Sequence, residues 1–533
     1  GIKLWCVLSG TLKSPGSYLK GAYIAMDSLN KALLNSDFQF PEDVKVSPWQ
    51  DLPEKVLQFG EGNFLRGFID WMIHQMNKQG LFGGRVCVVQ PITFGAVCDM
   101  LNEQDGLYTM MLRGVMDGKV VEDKEIIQSI SRCINPYSDF NAYLECAKNP
   151  DLRFIISNTT EAGIAYSPDD KPTDMPPASY PGKLAVFLYA RYKAFAGDPS
   201  KGMVIIPCEL IEKNGTTLKS IVLRLAKEWG YEQGFIDWLE NSNHFLSTLV
   251  DRIVTGYPRA EIDAITEKLG YKDNVLDTAE PFHFFVIEGG DFSEELPLAQ
   301  AGLDVIWTED MTPYRTRKVR ILNGAHTMTV LGAYLTGLDT VKEFMDDDTI
   351  HAYMNKGLFE EIIPTLDLPK EELESYTAAV SERFANPFIR HMLLDISLNS
   401  TSKYKSRCLP SLLTYIERKH EIPQVLSFGL AALIAFYRGE GIEGRSMTGT
   451  RTVNGNTNTY KIQDDVPVLE FFEKIWKEYA KDQDAKALVT KVLANTSLWG
   501  QDLTAQEGLT DVVTAHLENI LKNGAKAAIA SVL

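Results

Sequence analysis

The sequence has few of the residues that build disulfide frameworks or zinc sites. It contains seven cysteines and eight histidines among 533 residues, without a Cys-x-x-Cys pair or a His-Glu-x-x-His motif. An odd, scattered set of cysteines disfavours both a disulfide framework and a thiolate-bound metal. We therefore expect no metal, and we expect the reducing cytoplasm as the location.

Positive charge is also scarce, and long apolar runs are lacking. There are 53 Lys and Arg residues against 71 Asp and Glu, a formal net charge of −18. Such a surface repels nucleic-acid phosphates and anionic lipids, so neither nucleic acid nor a membrane is an expected partner. The longest apolar stretch, Val425 to Tyr437, is shorter than the roughly 20 residues of a membrane span and predicts a buried helix.

The composition that remains, 45% hydrophobic and 23% charged, is typical of a folded enzyme. Residues 1–48 mix short apolar pieces with turn residues and predict a weakly ordered extension. In 49–296, apolar bursts such as KVLQFG and RVCVVQ flank segments of helical spacing, which predicts an α/β domain with a parallel sheet. Residues 297–533 carry long segments of helical periodicity and predict a mainly helical domain.

A glycine turn lies between the first predicted strand of the α/β part and the helix after it. Gly60 and Gly62 stand where a backbone can approach a pyrophosphate, but Leu65 replaces the third glycine of a G-x-G-x-x-G fingerprint. This motif by itself is compatible with dinucleotide binding and with an ordinary tight turn. Gln90 ends the next strand, where an acidic residue would favour NAD and an arginine NADP, so the motif leaves the cofactor open.

Four cations lie within six residues of this acidic chain: Arg315, Arg317, Lys318 and Arg320. An anionic ligand would offset their repulsion, whereas the alternative is a solvated basic helix. If the segment is helical, Asn323 and His326 are neighbours, while Lys318 lies about 140° from Asn323 and about 80° from His326.

This set of side chains suits an alcohol–ketone interconversion. Lys318 exchanges the hydroxyl proton, Asn323 donates a hydrogen bond to the developing alkoxide, and His326 orients the same oxygen. A nicotinamide would exchange the hydride. In the alternative, His326 is a buried structural residue.

Several longer motifs, in order from about Asn35 to the C-terminus, resemble the mannitol dehydrogenase family of polyol-specific long-chain dehydrogenases. The first 34 residues do not match it. The motifs are QFGEGNFLRGF, QDGLYT (104–109), SNTTEAGI (157–164), IIPCELIEKNG (205–215), STLVDRIVTGYPR (247–259) and KVRILNGAHT (318–327).

The resemblance implies an N-terminal Rossmann-type dinucleotide-binding domain, a mainly α-helical C-terminal substrate domain, and an active site between them. It implies a metal-independent, NAD-dependent oxidoreductase that interconverts D-tagaturonate and D-altronate in hexuronate catabolism. Fructuronate reduction, or oxidation of another polyol or sugar acid, is the alternative within the family. A non-catalytic nucleotide- or carbohydrate-binding protein is the alternative from another class, and the oligomeric state is open.

The resemblance also implies site residues. The family's Lys-x-x-x-x-Asn-x-x-His motif falls on Lys318, Asn323 and His326, with the lysine as general base and the asparagine in an oxyanion hole. The expected cofactor-binding residues are Phe59, Gly60, Glu61, Gly62, Asn63, Phe64, Arg66, Gln90, Asn158, Thr159, Thr160 and Glu161.

The expected substrate-binding residues are Asp251, Asn214, Lys403, Lys405 and Arg407. For Asp251 the alternatives are a salt bridge to Arg252 or a helix cap. Asn214 is a candidate second oxyanion donor, because Leu210 stands where many family members have asparagine, and its alternative is a turn residue. The three basic residues alternate, so an extended segment would project them to one face toward a substrate carboxylate. A solvated basic loop is the alternative.

Overall fold

The computed structural model describes residues 26–160 and 162–533. The chain divides into two compact units. The first comprises the described residues up to Arg113 together with Val121–Met311, and the second comprises Gly114–Val120 and Thr312–Leu533. In the described ranges, no helix is long and apolar enough to cross a membrane.

The strands, in chain order, are β1 Val44–Lys45, β2 Glu54–Phe59, β3 Arg85–Val89, β4 Tyr108–Met116, β5 Lys119–Ile127, β6 Ile130–Ile134, β7 Phe154–Ser157, β8 Val204–Pro207, β9 His244–Phe245, β10 Ser247–Asp251, β11 Asp277–Ala279, β12 Phe284–Glu288, β13 Val305–Thr308, β14 Gly439–Glu443, β15 Ser446–Val453 and β16 Asn456–Gln463.

The α-helices of the first unit are α1 Lys31–Leu34, α2 Asn63–Arg66, α3 Ile69–Lys78, α4 Val97–Glu103, α5 Phe140–Glu145, α6 Tyr180–Ala194, α7 Asn214–Glu228, α8 Gln233–Ser242 and α9 Ile262–Leu269. Those of the second unit are α10 Thr312–Arg317, α11 Gly324–Leu335, α12 Val341–Asp346, α13 Asp348–Lys356, α14 Lys370–Phe384, α15 Leu393–Ile396, α16 Ser400–Arg407, α17 Leu409–Lys419, α18 Gln424–Phe436, α19 Val466–Asp482, α20 Ala485–Leu493, α21 Thr496–Trp499, α22 Leu509–Asn523 and α23 Ala525–Ala530.

A six-stranded sheet forms the centre of the first unit, in the order β6-β3-β2-β7-β8-β9. Every neighbouring pair is parallel, and Leu57 of β2 pairs with Cys87 of β3 on one side and with Ile155 of β7 on the other. Counted from β2, this order is 3-2-1-4-5-6, the arrangement of Rossmann folds. The α/β architecture predicted for this part of the chain is confirmed.

Helices cover both faces of this sheet because its inner strands are apolar on both faces. Val56 and Val88 pack with Met72 of α3, whereas Leu57 packs on the opposite face with Leu184 of α6. The prediction of a single helix after the glycine turn is wrong in one respect. The backbone breaks at Gly67 and Phe68, so the segment forms α2 and α3.

The predicted weak order of residues 1–48 is wrong for residues 26–48. Leu29, Leu33 and Val44 are buried in a core with Tyr271. Strand β1 pairs with β5 at the edge of a sheet in the order β1-β5-β4-β11. Residues 1–25 of the predicted extension lie outside the described residues.

The second unit is mainly helical, as predicted. The apolar stretch 425–437 forms α18, which is buried along nearly its whole length, so that prediction is confirmed. A three-stranded antiparallel sheet, β14-β15-β16, was not predicted. Its second hairpin turns at Asn454 and Gly455, whose φ angles of 52° and 80° are typical of an Asn-Gly turn, and this dipeptide was the available signal.

Candidate active site

The glycine turn lies at the carboxyl ends of β2 and β7, where the strand order of the Rossmann sheet reverses. Gly60 has φ +128°, and a Cβ at this residue would lie 2.9 Å from the carbonyl oxygen of Asn158. Only glycine fits here without strain. At Gly62, a Cβ would have no atom of the described residues within 4 Å, so the turn presents open backbone on that side. This arrangement fits a dinucleotide pyrophosphate.

Two of the predicted cofactor-binding side chains are used inside the protein. Phe59 is fully buried against Tyr143 and Tyr180. Arg66 is 1% exposed, and its guanidinium donates to the carbonyl oxygens of Glu61 and Val275 and to Oδ1 of Asn63. The structure therefore gives these two side chains the role of shaping the turn.

The other predicted residues near the turn have different surroundings. Phe64 stacks on Phe68 with ring centroids 5.0 Å apart. Gln90, at the end of β3, is buried and donates to the carbonyl oxygen of Ile92. Glu61 is half-buried, and burial raises the pKa of its carboxyl group. Its Oε2 has no hydrogen-bond partner in the described part of the chain. Glu61 shares this feature with other residues beside the turn, since Gln58 Oε1 and Asp70 Oδ1 also lack a partner among the described residues.

The segment after β7 is held by Glu209, a residue that sequence reasoning did not select. Glu209 Oε1 accepts hydrogen bonds from the backbone N–H and the hydroxyl of Thr159, and its Oε2 accepts one from Ser157. Burial raises the pKa of Glu209. Thr160 follows with φ +72°. The signal in the sequence was an acidic residue two positions after the end of an apolar strand. Glu161 lies outside the described residues.

Two predicted substrate residues of the first unit lie in its interior. Asn214 is fully buried, donates to Pro207 O, Glu209 O and Thr248 Oγ1, and accepts from the N–H groups of Gly215 and Thr248. These bonds occupy its amide, and Asn214 is the first residue of helix α7 rather than a turn residue. Asp251 is 6% exposed and ends strand β10, so the helix-cap alternative is wrong.

The lysine and asparagine of the predicted catalytic motif lie on a π-helical turn, Lys318–Asn323, between α10 and α11. The N–H of Gly324 bonds to the carbonyl oxygen of Val319, five residues earlier. Such bonding adds a residue to the turn, so Lys318 and Asn323 are separated by a smaller angle than in a regular α-helix. The angle of about 140° expected from regular helical spacing does not apply to this turn. Wide turns of this kind are frequent at functional sites.

His326 lies in the first turn of α11, three residues after Asn323. Its Nε2 is buried and has no hydrogen-bond partner within residues 26–160 and 162–533. Burial lowers its pKa well below the ordinary value, and the charges of His391, Arg407, Arg383 and Lys403 act in the same direction. The imidazole is therefore neutral, and Nε2 is available to a ligand oxygen.

The basic residues predicted to alternate along an extended segment lie on helix α16 instead. Lys403 and Arg407, four residues apart, share one half-buried face, whereas Lys405 lies on the exposed side. Arg407 donates to Thr327 Oγ1 over 3.4 Å, and Lys403 donates to the carbonyl oxygen of Ile396. The expected common face of all three residues is therefore wrong, and two of them lie near His326.

The four cations at 315–320 do not act as one cluster. Arg320 donates to Ser411 Oγ of α17, and burial lowers its pKa. The guanidinium of Arg317 lies 4.2 Å from the ring centroid of Tyr376. At least these two cations have contacts within the second unit, so the charge run reflects packing as well as any anion site.

Comparison with known proteins gives consistent matches. The mannitol dehydrogenase Rossmann domain matches residues 54–300, and the mannitol dehydrogenase C-terminal domain matches residues 310–521. The altronate oxidoreductase of Halalkalibacterium halodurans is 46% identical over 484 residues, which is 90% of this chain and 94% of that protein. The altronate oxidoreductase of Klebsiella pneumoniae is 47% identical over 485 residues, 90% of this chain and 97% of that protein.

Solved structures share the fold. A D-sorbitol dehydrogenase in substrate-free form superposes with a TM-score of 0.74 at 22% identity, covering 94% of this chain and 100% of that one. The Pseudomonas fluorescens mannitol 2-dehydrogenase, solved with NAD and D-mannitol, gives a TM-score of 0.61 at 22% identity, covering 95% and 99%.

Proposed function

Because the chain belongs to the mannitol dehydrogenase family, we propose that it is an NAD-dependent oxidoreductase that interconverts D-altronate and D-tagaturonate. Its similarity to altronate oxidoreductases over 90% of the chain supports the choice of substrate. The observation that carries the chemistry is the π-helical turn that holds Lys318 and Asn323 one helical turn before His326, whose buried Nε2 has no hydrogen-bond partner among the described residues.

Asn323 and His326 bind the reacting oxygen in this proposal. The amide of Asn323 donates a hydrogen bond to the ketone oxygen and stabilises the negative charge that develops on it. Nε2 of His326, which has no partner among the described residues, orients the same oxygen. NADH, when bound, supplies the hydride to the carbonyl carbon.

Lys318 moves the proton. Its ammonium group delivers one proton to the oxygen as the ketone becomes an alcohol, and its neutral amine accepts that proton in the oxidation of altronate. The hydride and the proton together account for the two hydrogens added to the C=O group. The reaction therefore needs no metal to balance.

The substrate carboxylate binds Lys403 and Arg407, the two basic residues on the half-buried face of α16. A hexuronate carries one carboxylate, and charge-assisted bonds from an amine and a guanidinium are suited to it. Lys405 is left out because it lies on the exposed side of the same helix.

The open backbone of the glycine turn and the unpartnered oxygen of Glu61 fit a dinucleotide in the first unit. We also propose a cytoplasmic location. The six cysteines in the described ranges are all free and buried, which suits a reducing compartment.

The substrate is tested by NADH oxidation with D-tagaturonate and with D-fructuronate. We expect kcat/KM to be at least about tenfold higher with tagaturonate, the equivalent of one well-placed hydrogen bond. A clear preference for fructuronate would overturn the assignment of substrate.

The mechanism is tested with Lys318→Ala. Turnover should fall by roughly a thousandfold while NADH binding is retained, because the proton donor is lost but the nucleotide contacts are not. Lys342→Ala, which removes a surface lysine paired with Asp346, is the matched control. Near-normal turnover of Lys318→Ala would show that Lys318 is not the acid–base group.

A further inference from the structure

The position that recognises the adenosine ribose in Rossmann folds holds no charge in this chain. In such folds an acidic residue near the end of the second strand of the unit accepts hydrogen bonds from the ribose hydroxyls. Here that strand is β3, and residues 90–97 after it read QPITFGAV. Gln90 uses its amide on the carbonyl oxygen of Ile92. An acceptor for the ribose must come from elsewhere in the chain.

The carboxylate of Glu61 extends from the glycine turn toward this loop. A Cβ built on Gly95 would lie 3.5 Å from Glu61 Oε1. The pKa of the Cys133 thiol is raised by its hydrogen bond with Cys98, by burial and by nearby negative charges that include Glu61. Cys133 lies on β6, paired with Val88 of β3. The carboxylate is therefore near the carboxyl ends of β3 and β6.

One oxygen of this carboxylate lacks a donor among the residues that the structure describes. Oε2 of Glu61 is buried and has no hydrogen-bond partner there, although buried acceptors nearly always have one. Arg66 has the nearest guanidinium along the chain, but this group donates its hydrogen bonds to Glu61 O, Asn63 Oδ1 and Val275 O. An incoming hydroxyl group would supply the missing donor.

The same loop presents apolar surface. Ile92 is 46% exposed and Phe94 is 74% exposed, among the largest exposed apolar side chains of the described residues. A flat, aromatic base such as adenine has a face suited to such side chains. Gly95, with φ +143°, shapes the backbone between this surface and Glu61.

We infer that Glu61 is the residue that binds the adenosine ribose hydroxyls and excludes a 2′-phosphate, so that the chain selects NAD over NADP. The inference rests on the proposed use of a nicotinamide dinucleotide. The carboxylate accepts hydrogen bonds from the 2′- and 3′-hydroxyl groups, whereas a 2′-phosphate brings negative charge and no matching donor next to a carboxylate.

The test measures binding directly, by fluorescence titration of the full chain with NADH and with NADPH. We expect wild type to bind NADH at least about 30-fold more tightly than NADPH. In Glu61→Gln, NADH binding should weaken about tenfold and NADPH binding should strengthen, so that the two Kd values come within roughly threefold of each other. Glu103→Gln, which removes the same charge from an exposed position on α4, should keep the wild-type ratio.

Thermal unfolding shows whether each variant is folded. If Glu61→Gln does not fold, Glu61→Asp takes its place, because a shorter carboxylate keeps the charge but withdraws from the ribose, and NADH binding should then weaken. An unchanged ratio of the two Kd values in the folded Glu61 variant overturns the inference, as does equal binding of NADH and NADPH by wild type. NADH preference that depends on Glu61, in a chain inactive on tagaturonate, supports the inference and rejects the proposed substrate.

Discussion

The imidazole of His326 stacks on the ring of Phe384, with centroids 4.2 Å apart and planes 13° from parallel. His391 meets the same imidazole edge-on, at 5.4 Å and 88°. The stacked ring fixes the plane of the imidazole, and the burial that accompanies it keeps the group neutral. The orientation of the His326 side chain on α11 is thus set by the end of α14 and by the loop before α15.

Replacing Phe384 by Leu should lower kcat about tenfold, because the imidazole loses the face that holds its plane. KM and NADH binding should change little. Steady-state kinetics and NADH titration check this. Phe344→Leu is the control, since Phe344 is also buried and packs edge-on against Phe384. It should lose about 1 kcal/mol of stability and keep its kcat; an equal loss of kcat in both variants would contradict the positioning role.

The helical phase of α16 predicts which basic residues matter for the substrate carboxylate. Lys403→Ala and Arg407→Ala should each raise KM for tagaturonate by roughly 10- to 100-fold, the range for a lost charge-assisted hydrogen bond. Lys405→Ala should leave KM unchanged because this lysine lies on the exposed side. If KM increased equally in all three variants, the carboxylate would be bound by a general basic patch rather than by Lys403 and Arg407.

The two glycines of the turn should differ in their tolerance of a side chain. Gly60→Ala places a Cβ 2.9 Å from Asn158 O at φ +128°, so the free energy of unfolding should fall by about 2 kcal/mol or more. Gly62→Ala meets no atom within 4 Å and should change stability by less than about 0.5 kcal/mol. Urea denaturation of both variants measures the difference, and similar losses would contradict the close approach.

Stability should depend on the ionisation of Asp70. This carboxyl is fully buried, which raises its pKa to about 7, whereas the hydrogen bond from Gln58 acts in the opposite direction. The unfolded state, with an ordinary pKa, binds fewer protons than the folded state between about pH 4 and pH 7, so this group lowers stability as pH rises through that window.

Asp70→Asn removes this dependence. Its stability relative to wild type should rise by about 3 kcal/mol from pH 5 to pH 8, since each pKa unit corresponds to about 1.4 kcal/mol. Denaturant unfolding at both pH values measures the change. The exposed residue Asp99 provides the control, and Asp99→Asn should show no such rise. An equal pH dependence in wild type and Asp70→Asn would show that Asp70 is not the group responsible.

Features that depend on neighbours along the chain were predictable from the sequence. The β2–turn–β3 unit follows from an apolar strand, two glycines and a second apolar strand, and α18 follows from an uninterrupted apolar run. The family and its oxidoreductase chemistry could also be inferred, because the motifs are contiguous.

Features that depend on contacts between distant residues were not predictable. Lys403, Lys405 and Arg407 alternate in the sequence as strand residues would, yet the segment is helical and buries Tyr404 and Thr401 beside other helices. Residues 26–48 carry little periodicity of their own, and their order comes from packing against Tyr271.

The sequence by itself determined the parallel α/β sheet, the helical second part and the Lys318, Asn323 and His326 motif, because hydrophobic periodicity and residue spacing are local properties. Only the tertiary structure decided that Lys318 and Asn323 lie on a π-helical turn, that His326 stacks on Phe384, and that Glu61 extends toward the loop after β3. These relationships depend on a widened helical turn and on packing between segments far apart in the chain, which no local pattern encodes.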